Sequence, residues 1–325
     1  MMKIFKGIWP FVESLGTLAL GAWLIEIGIG STGAFPNALA NHVLIKTTVY
    51  FVLVAHVTIV SMSLCFHRMH THKGVVLHPI VDYSMQFWLW ISTSMSKRDW
   101  VSVHAYHHAT SDTDLDPHSP VVNGFWHSFL LGAFDYAKAR KSPEVLKIRA
   151  KIPTNQFERF IENNTLVGPI FLAVLFLVAF GPLMGLVYMW LTFLVSPIFA
   201  IGGVNTLAHY IGYRNYKTED NSRNIGFLLP LNWIIAGELD HNNHHAHPNS
   251  ASFSHRWFEF DVGYFYLKIL SAFKLAKVRS VRKYERSKEK SRQWIDEKMD
   301  EMRAVRVKSL GVILLGFLST GAKFL

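Results

Sequence analysis

Seventeen histidines in 325 residues are grouped rather than scattered. Two groups, His104-Ala-Tyr-His107-His108 and His241-Asn-Asn-His244-His245, repeat the spacing i, i+3, i+4. On an α-helix those offsets put the three rings on one face. Imidazole is the commonest side-chain metal ligand and is neutral over much of the physiological range, so each triplet reads as a metal clamp. A third group, His67-Arg-Met-His70-Thr-His72, is less regular. His67 and His72 lie five apart, about 140° around an ideal helix, and His70 is in better register with His67. Spacing does not decide which two bind; fraying of the helix past His67 would let His67 and His72 approach a metal from different directions. Asp99, Asp112, Asp114, Asp116, Glu238 and Asp240 flank these groups. They either orient imidazoles through the second ring nitrogen or are ordinary solvated acids.

The elements that must position these residues are apolar. Hydrophobic residues make up 50% of the chain and charged residues only 17%, and the apolar residues are clustered, which points to a bilayer. Four stretches near the required length of about 20 residues, 11–30, 43–66, 165–180 and 183–204, read as transmembrane helices in two hairpins. The connections 31–42 and 181–182 lack Lys and Arg. The segments 66–164 and 205–308 are rich in them and, with both termini, face the cytoplasm by the positive-inside rule. All three histidine groups therefore reach one membrane face. The fold class expected is all-α integral membrane, with four spans and a cytoplasmic helical cap carrying a di-metal site. A membrane domain covers 1–278, and a charged C-terminal helix with an apolar tail covers 279–325. Segment 80–93 carries Asp82 and Gln86 and reads as a helix lying at the interface. Residues 276–308 read as a solvated charged helix or a dock for an acidic electron donor, and 310–325 as a tail too short to span.

The net charge of +10 suits an anionic membrane surface better than nucleic acid, for which no module is present. Cys65, the single cysteine, forbids an intrachain disulfide. Gly28, Gly30 and Gly33 match G-x-G-x-x-G but end a predicted span without the strand-helix context of a nucleotide site. The N-terminus carries Lys3 and Lys6 but shows no small-residue cleavage site, so the first span is expected to remain as an anchor.

The pattern HxxxxH, HxxHH and HxxHH is met by His67/His72, His104/His107/His108 and His241/His244/His245. With the surrounding SDTDLDPHSP (111–120) and GELDHNNHHAHP (237–248), it resembles the membrane fatty acid desaturases, from about Phe11 to Val278. The resemblance implies a further ligand from an Asn-x-x-x-His element, here Asn205-Thr-Leu-Ala-His209, with Asn205 holding a metal-bound water. His70 has no counterpart ligand and is left out. It implies two iron ions, O2 as co-substrate, and a cis double bond, by family analogy at Δ9, in an acyl-CoA or a membrane lipid. Electrons would come from a ferredoxin or a cytochrome b5-type protein with its reductase. A hydroxylase of fatty acids or alkanes is the nearest alternative, and a metal transporter or binding protein a more distant one. The short N-terminus looks like that of a bacterial member, which would place the protein in the inner membrane with its metals on the cytoplasmic face. Trp88, Trp90, Trp100 and Tyr106 are candidate walls of an acyl channel. His56 is expected to be a hydrogen-bonded intramembrane residue, His42 a loop residue, and His78, His118, His127, His247 and His255 supporting or surface groups.

Overall fold

The computed structural model describes residues 37–226 and 229–282. The expected span 11–30, the glycine motif, the tail 310–325 and the charged segment beyond 282 lie outside the described residues. Helix α1, Asn37–Ser61, runs without interruption into a π-helical stretch, Met62–Thr71. Its apolar character is continuous, and Val43–Thr71 is long and apolar enough to cross a membrane. Leu44, Ile45, Val49, Leu53 and Val57 stay exposed, whereas Val54, Ala55 and Ile59 pack against Val195, Val204 and Ile235. A row of exposed aliphatic side chains beside a packed one is what a lipid-facing helix presents.

A second stretch that is long and apolar enough, Val167–Tyr210, is a hairpin. A straight helix of that length would extend about 66 Å. Instead α8, Val167–Val195, is broken at Gly181, with φ 77° and ψ 172°, followed by Pro182. Only glycine adopts those angles without strain. The two arms then touch: a Cβ on Gly185 would lie 2.7 Å from the Phe176 carbonyl oxygen, and the Phe180 and Tyr188 rings are 4.9 Å apart. The turn falls where the sequence places the connection between 165–180 and 183–204. Tyr50 of α1 reaches both arms, its ring against Phe176 and its hydroxyl 2.5 Å from Thr192 Oγ1. The second arm continues as another π-helical stretch, Ser196–Leu207.

Between the apolar stretches run α2 (Pro79–Thr93), α3 (Lys97–Thr110), α4 (Pro120–Asn123), α5 (Phe125–Ala139), α6 (Pro143–Lys151) and α7 (Gln156–Asn163). Their starts are set by side chains that take up free helix N–H groups: Ser96 for α3, Ser119 for α4, Ser142 for α6 and an Asn155/Glu158 capping box for α7. The helix expected over 80–93 forms as α2, with Asp82 and Gln86 buried and Ile80, Tyr83 and Phe87 exposed. After the hairpin come α9 (Leu229–Ile234), α10 (His241–Ala246) and α11 (Val262–Ala272).

The all-α expectation needs one correction. Val75–Leu77 (β1) and Ala276–Val278 (β2) pair antiparallel, Val75 opposite Val278 and Leu77 opposite Ala276. Residues 276–278, which the charge pattern assigned to a helix, are therefore strand. Three-residue strands are too short to show a period of two, and they form because the ends of the first histidine segment and of α11 are brought together.

Candidate metal centre

The first histidine group resolves through backbone geometry. On an α-helix His67 and His72 would diverge, but Met62–Thr71 is π-helical and the His72 N–H donates to the His67 carbonyl at 3.1 Å. A turn closed from i to i+5 stacks residues five apart, and π turns recur at functional sites. The two rings are 4.9 Å apart. Thr71 assists by donating its hydroxyl to the Phe66 carbonyl, again five residues back.

The other two groups are each divided. His67, His72, His104, His108 and His244 offer ligand atoms within 4.8 Å of one another, and His107, His209, His241 and His245 form a second such set. Neighbours on α3 thus serve different clusters, His108 the first and His107 the second. On α10, His244 and His245 divide in the same way. The i, i+3, i+4 triplet is a bridge between two clusters rather than a clamp on one. In the first cluster the Nε2 atoms bunch together: His67 to His244 at 2.9 Å, His244 to His108 at 3.0 Å, His108 to His104 at 3.1 Å and His104 to His72 at 3.2 Å.

Carboxylates decide which nitrogen faces inward. Glu238 lies 2.9 Å from His67 Nδ1, Asp116 2.9 Å from His107 Nδ1, Asp112 3.0 Å from His209 Nδ1 and Asp220 2.7 Å from His245 Nδ1. Each carboxylate can only accept, so the proton sits on Nδ1 and a lone pair is left on Nε2. His107 Nε2 and His209 Nε2 are buried with no hydrogen-bond partner. Converging lone pairs without donors are costly to bury, and a cation satisfies them. The donor set therefore fits metal, and its nitrogen-only character suits iron, zinc, copper or nickel. Burial pushes His104, His108, His241 and His244 well below the usual imidazole range, and His245 down to about 4, keeping them neutral as ligands must be. His107 goes the other way: burial lowers it, but the Asp116 charge and hydrogen bond outweigh burial. The His107 partner Asp116 and the His245 partner Asp220 are held far below the carboxylate range, their burial outweighed by these hydrogen bonds and charges.

Of the acids flanking the histidine groups, Glu238, Asp112 and Asp116 therefore orient rings. Asp99 instead pairs with Arg149 and Arg140, Asp114 is exposed, and Asp240 precedes α10. Asp220 was missed because it lies 25 residues before His245 in a loop, with no spacing that links the two.

Arg68 anchors the first group to the third. Fully buried, it makes a two-pronged pair with Asp261 at 2.8 and 3.0 Å and donates to the Ala251 and Ala236 carbonyls and to Ser63. Asp261 in turn caps α11 by accepting from Tyr264 N–H. His67 and the loop before His241 are thereby locked to one another.

A cavity reaches both clusters. His67, His104 and His241 line it together with Asn205, Trp100, His118, Tyr136, Ile59, Met62, Val103 and Val204. Asn205 thus lies beside the second cluster, in the π-helical stretch that ends before His209. Of the four proposed wall aromatics only Trp100 lines this cavity. Trp88 and Trp90 donate to Thr58 and to the Asn164 carbonyl, and Tyr106 packs against Val103, Ala139 and Val145. His70 joins neither cluster and contacts Asp82 at 2.9 Å. His56 is hydrogen-bonded to the Ile234 carbonyl and to Tyr266. His78 caps α2, His127 pairs with Asp135, and His247 and His255 meet the Tyr216 ring edge-on.

A helical protein with long apolar stretches, nine converging imidazoles and an adjoining cavity has the side chains that could hold metal by histidine alone. The comparisons name the family: the fatty acid desaturase model matches residues 45–261, and the chain belongs to that family. It is 32% identical over 236 residues to the delta-9 desaturase-like 1 protein of Arabidopsis thaliana, covering 69% of this chain and 74% of the relative. It is 31% identical to an acyl-CoA 5-desaturase of Anemone leveillei (66% and 65%) and 28% identical to delta-9 acyl-lipid desaturase 2 of Arabidopsis thaliana (66% and 69%). The chain is an oxidoreductase of lipid metabolism, a fatty acid desaturase.

Proposed function

We propose that this protein inserts a cis double bond into a long acyl chain, at Δ9 in the first instance, using O2 and two irons. His67, His72, His104, His108 and His244 would hold one iron, and His107, His209, His241 and His245 the other, with Asn205 contributing through a water. The observation that carries the reading is the convergence of two imidazole clusters on one cavity. When bound, iron supplies the O2 chemistry needed to take hydrogen from an unactivated methylene, which no side chain can do. The overall change balances as one CH2–CH2 unit, one O2, two electrons and two protons giving one CH=CH unit and two waters.

The chain's own work is to orient and exclude. Glu238, Asp112, Asp116 and Asp220 keep Nε2 of their partner rings unprotonated. Ile59, Met62, Val103 and Val204 give the acyl chain an apolar bed, and Trp100, stacked on His104 at 4.6 Å, closes it beside the metals. The substrate would be an acyl-CoA or a lipid-esterified chain, the two classes named for the acyl-CoA and acyl-lipid desaturases among the relatives. Electrons would come from a separate ferredoxin or cytochrome b5-type protein with its reductase. The apolar stretch 43–71 and the two arms joined at Gly181, together with 11–30, would give four spans with the metals at the cytoplasmic face. Gas chromatography and mass spectrometry of total fatty acids after heterologous expression test this reading. A new alkene isomer is expected; hydroxylated chains without an alkene would instead establish the hydroxylase.

A further inference from the structure

The cavity beside the histidine clusters is apolar along most of its wall, but besides His241 Nδ1 of the second cluster two polar atoms of its lining residues have no partner among the described residues. His118 Nδ1 and the Tyr136 hydroxyl are both buried and accept or donate no hydrogen bond. The two rings lie nearly parallel, 6.2 Å apart, and His118 is on the metal side, 6.0 Å from the His107 ring. A buried hydroxyl or imidazole nitrogen left unpaired is costly, so a pair of them in one cavity marks a place where a polar ligand atom is received.

Their position says which atom. A second cavity, lined by Thr93, Ser94, Ala133, Ala137, Arg140 and Phe193, shares Met95, Tyr136, Ser196 and Ile201 with the first. Tyr136 therefore stands at the boundary, or neck, between the two. The outer cavity carries the polar groups, Thr93, Ser94 and Arg140, and the inner one carries the histidine clusters. Arg140 lies one helical turn beyond Tyr136, on the same face of the α5 terminus. A molecule with a charged head and an apolar tail enters head outward, and its carbonyl comes to lie at the neck.

We propose that Tyr136 and His118 hold the acyl carbonyl of the substrate at this neck, and by fixing that atom set which carbons lie beside the metals. The inference rests on the acyl-desaturase reading above. Both are positioning residues, and because a carbonyl only accepts, Tyr136 donates its hydroxyl and His118 its Nδ1–H. Burial pushes the Tyr136 phenol well above its ordinary range, so it keeps its proton.

The test has two arms on the full-length protein. In the first, stearoyl-CoA and distearoyl phosphatidylcholine are compared with their thioether and ether analogues, which lack the carbonyl, by binding without electron donor so that nothing turns over. The protein should bind the carbonyl form of one head-group class roughly two- to tenfold more tightly, as one hydrogen bond supplies. Tyr136→Phe should erase that preference. The head group that shows the preference identifies the substrate source. In the second arm, Tyr136→Phe should raise KM by a similar factor and spread the double bond over adjacent positions. His118→Gln, which keeps a polar group, should retain one isomer better than His118→Leu. A merely structural role would lower yield or kcat without moving the double bond. Equal binding of carbonyl and carbonyl-free analogues, or a single unshifted isomer from Tyr136→Phe, overturns the inference. Absence of any alkene from the unmodified protein would instead overturn the desaturase reading, and the binding arm would still stand by itself.

Discussion

Replacing Asp220 with Asn tests whether the two clusters are separate sites with separate support. Asp220 Oδ2 accepts the His245 Nδ1 proton at 2.7 Å, while its Oδ1 accepts from Ser222 N–H at 2.9 Å and Thr218 Oγ1 at 2.7 Å. An amide cannot serve both sides. With its carbonyl toward Ser222, the amide N–H faces His245 Nδ1 and drives the ring proton to Nε2, the atom that would bind metal. With its carbonyl toward His245, the amide meets the Ser222 N–H donor against donor. A hydrogen bond to a charged group contributes about 1.5–3 kcal/mol and a neutral one about 0.5–1.5. The loss is thus about 1–2 kcal/mol, or roughly 5- to 30-fold in metal affinity, within the range that such supporting carboxylates command. Asp220 is bonded to His245 and its charge also reaches His107, and both belong to the four-histidine cluster. Metal analysis by mass spectrometry after dialysis against graded chelator should therefore show Asp220→Asn losing about one of two metals at a chelator level the unmodified protein withstands. Loss of both metals together, or retention of both at the unmodified threshold, would refute the reasoning.

Arg68→Met leaves the Asp261 carboxylate buried without its cation and should destabilise by about 3–5 kcal/mol, read as a lowered thermal midpoint in detergent; a change under about 1 kcal/mol would contradict the anchoring role. Gly181→Ala meets no atom within 4 Å, so its cost should be backbone strain alone, about 1–3 kcal/mol, while Pro182→Ala should cost less; equal midpoints would argue against the tight turn. Acid should destabilise the metal-free protein: buried histidines with lowered pKa are neutral when folded but protonate when unfolded, so stability is complete above 6.5 and falls toward about 4. His245 alone contributes about 3 kcal/mol over that window, and denaturant titrations at pH 7 and 5 on chelated protein check it, a flat profile counting against neutral burial. His107, raised by Asp116, works in the opposite sense, stabilising at low pH and fading as pH rises past its folded value. His72→Ala should remove the i+5 partner of His67 and with it metal from the five-histidine cluster, whereas His70→Ala should leave the metal content unchanged in the same measurement.

Much of this protein was legible in its sequence because the signals are local. Three histidine groups, two long apolar stretches and the Gly181-Pro182 turn depend on neighbours a few residues away. The grouping of His104, His107, His108, His241, His244 and His245 followed from spacing, whereas the pairing of His67 with His72, and His209, came from the family pattern. What spacing could not show was partition. The rings of one α-helical face are directed to two clusters, so rings one position apart, such as His107 and His108, meet different partners. Nor could an α-helical ruler place His67 with His72; ten residues wound as a π-helix did that, with Cys65, Phe66 and Arg68 buried in the interior. Asp220, the β1–β2 ribbon and the Tyr136–His118 neck are likewise tertiary, since each joins segments that nothing in the chain's order connects. The sequence by itself determined the chemistry on offer, imidazole in quantity beside apolar helices; only the folded chain decided which nitrogen of His67, His107, His209 and His245 faces inward, because that depends on carboxylates brought to them by the fold.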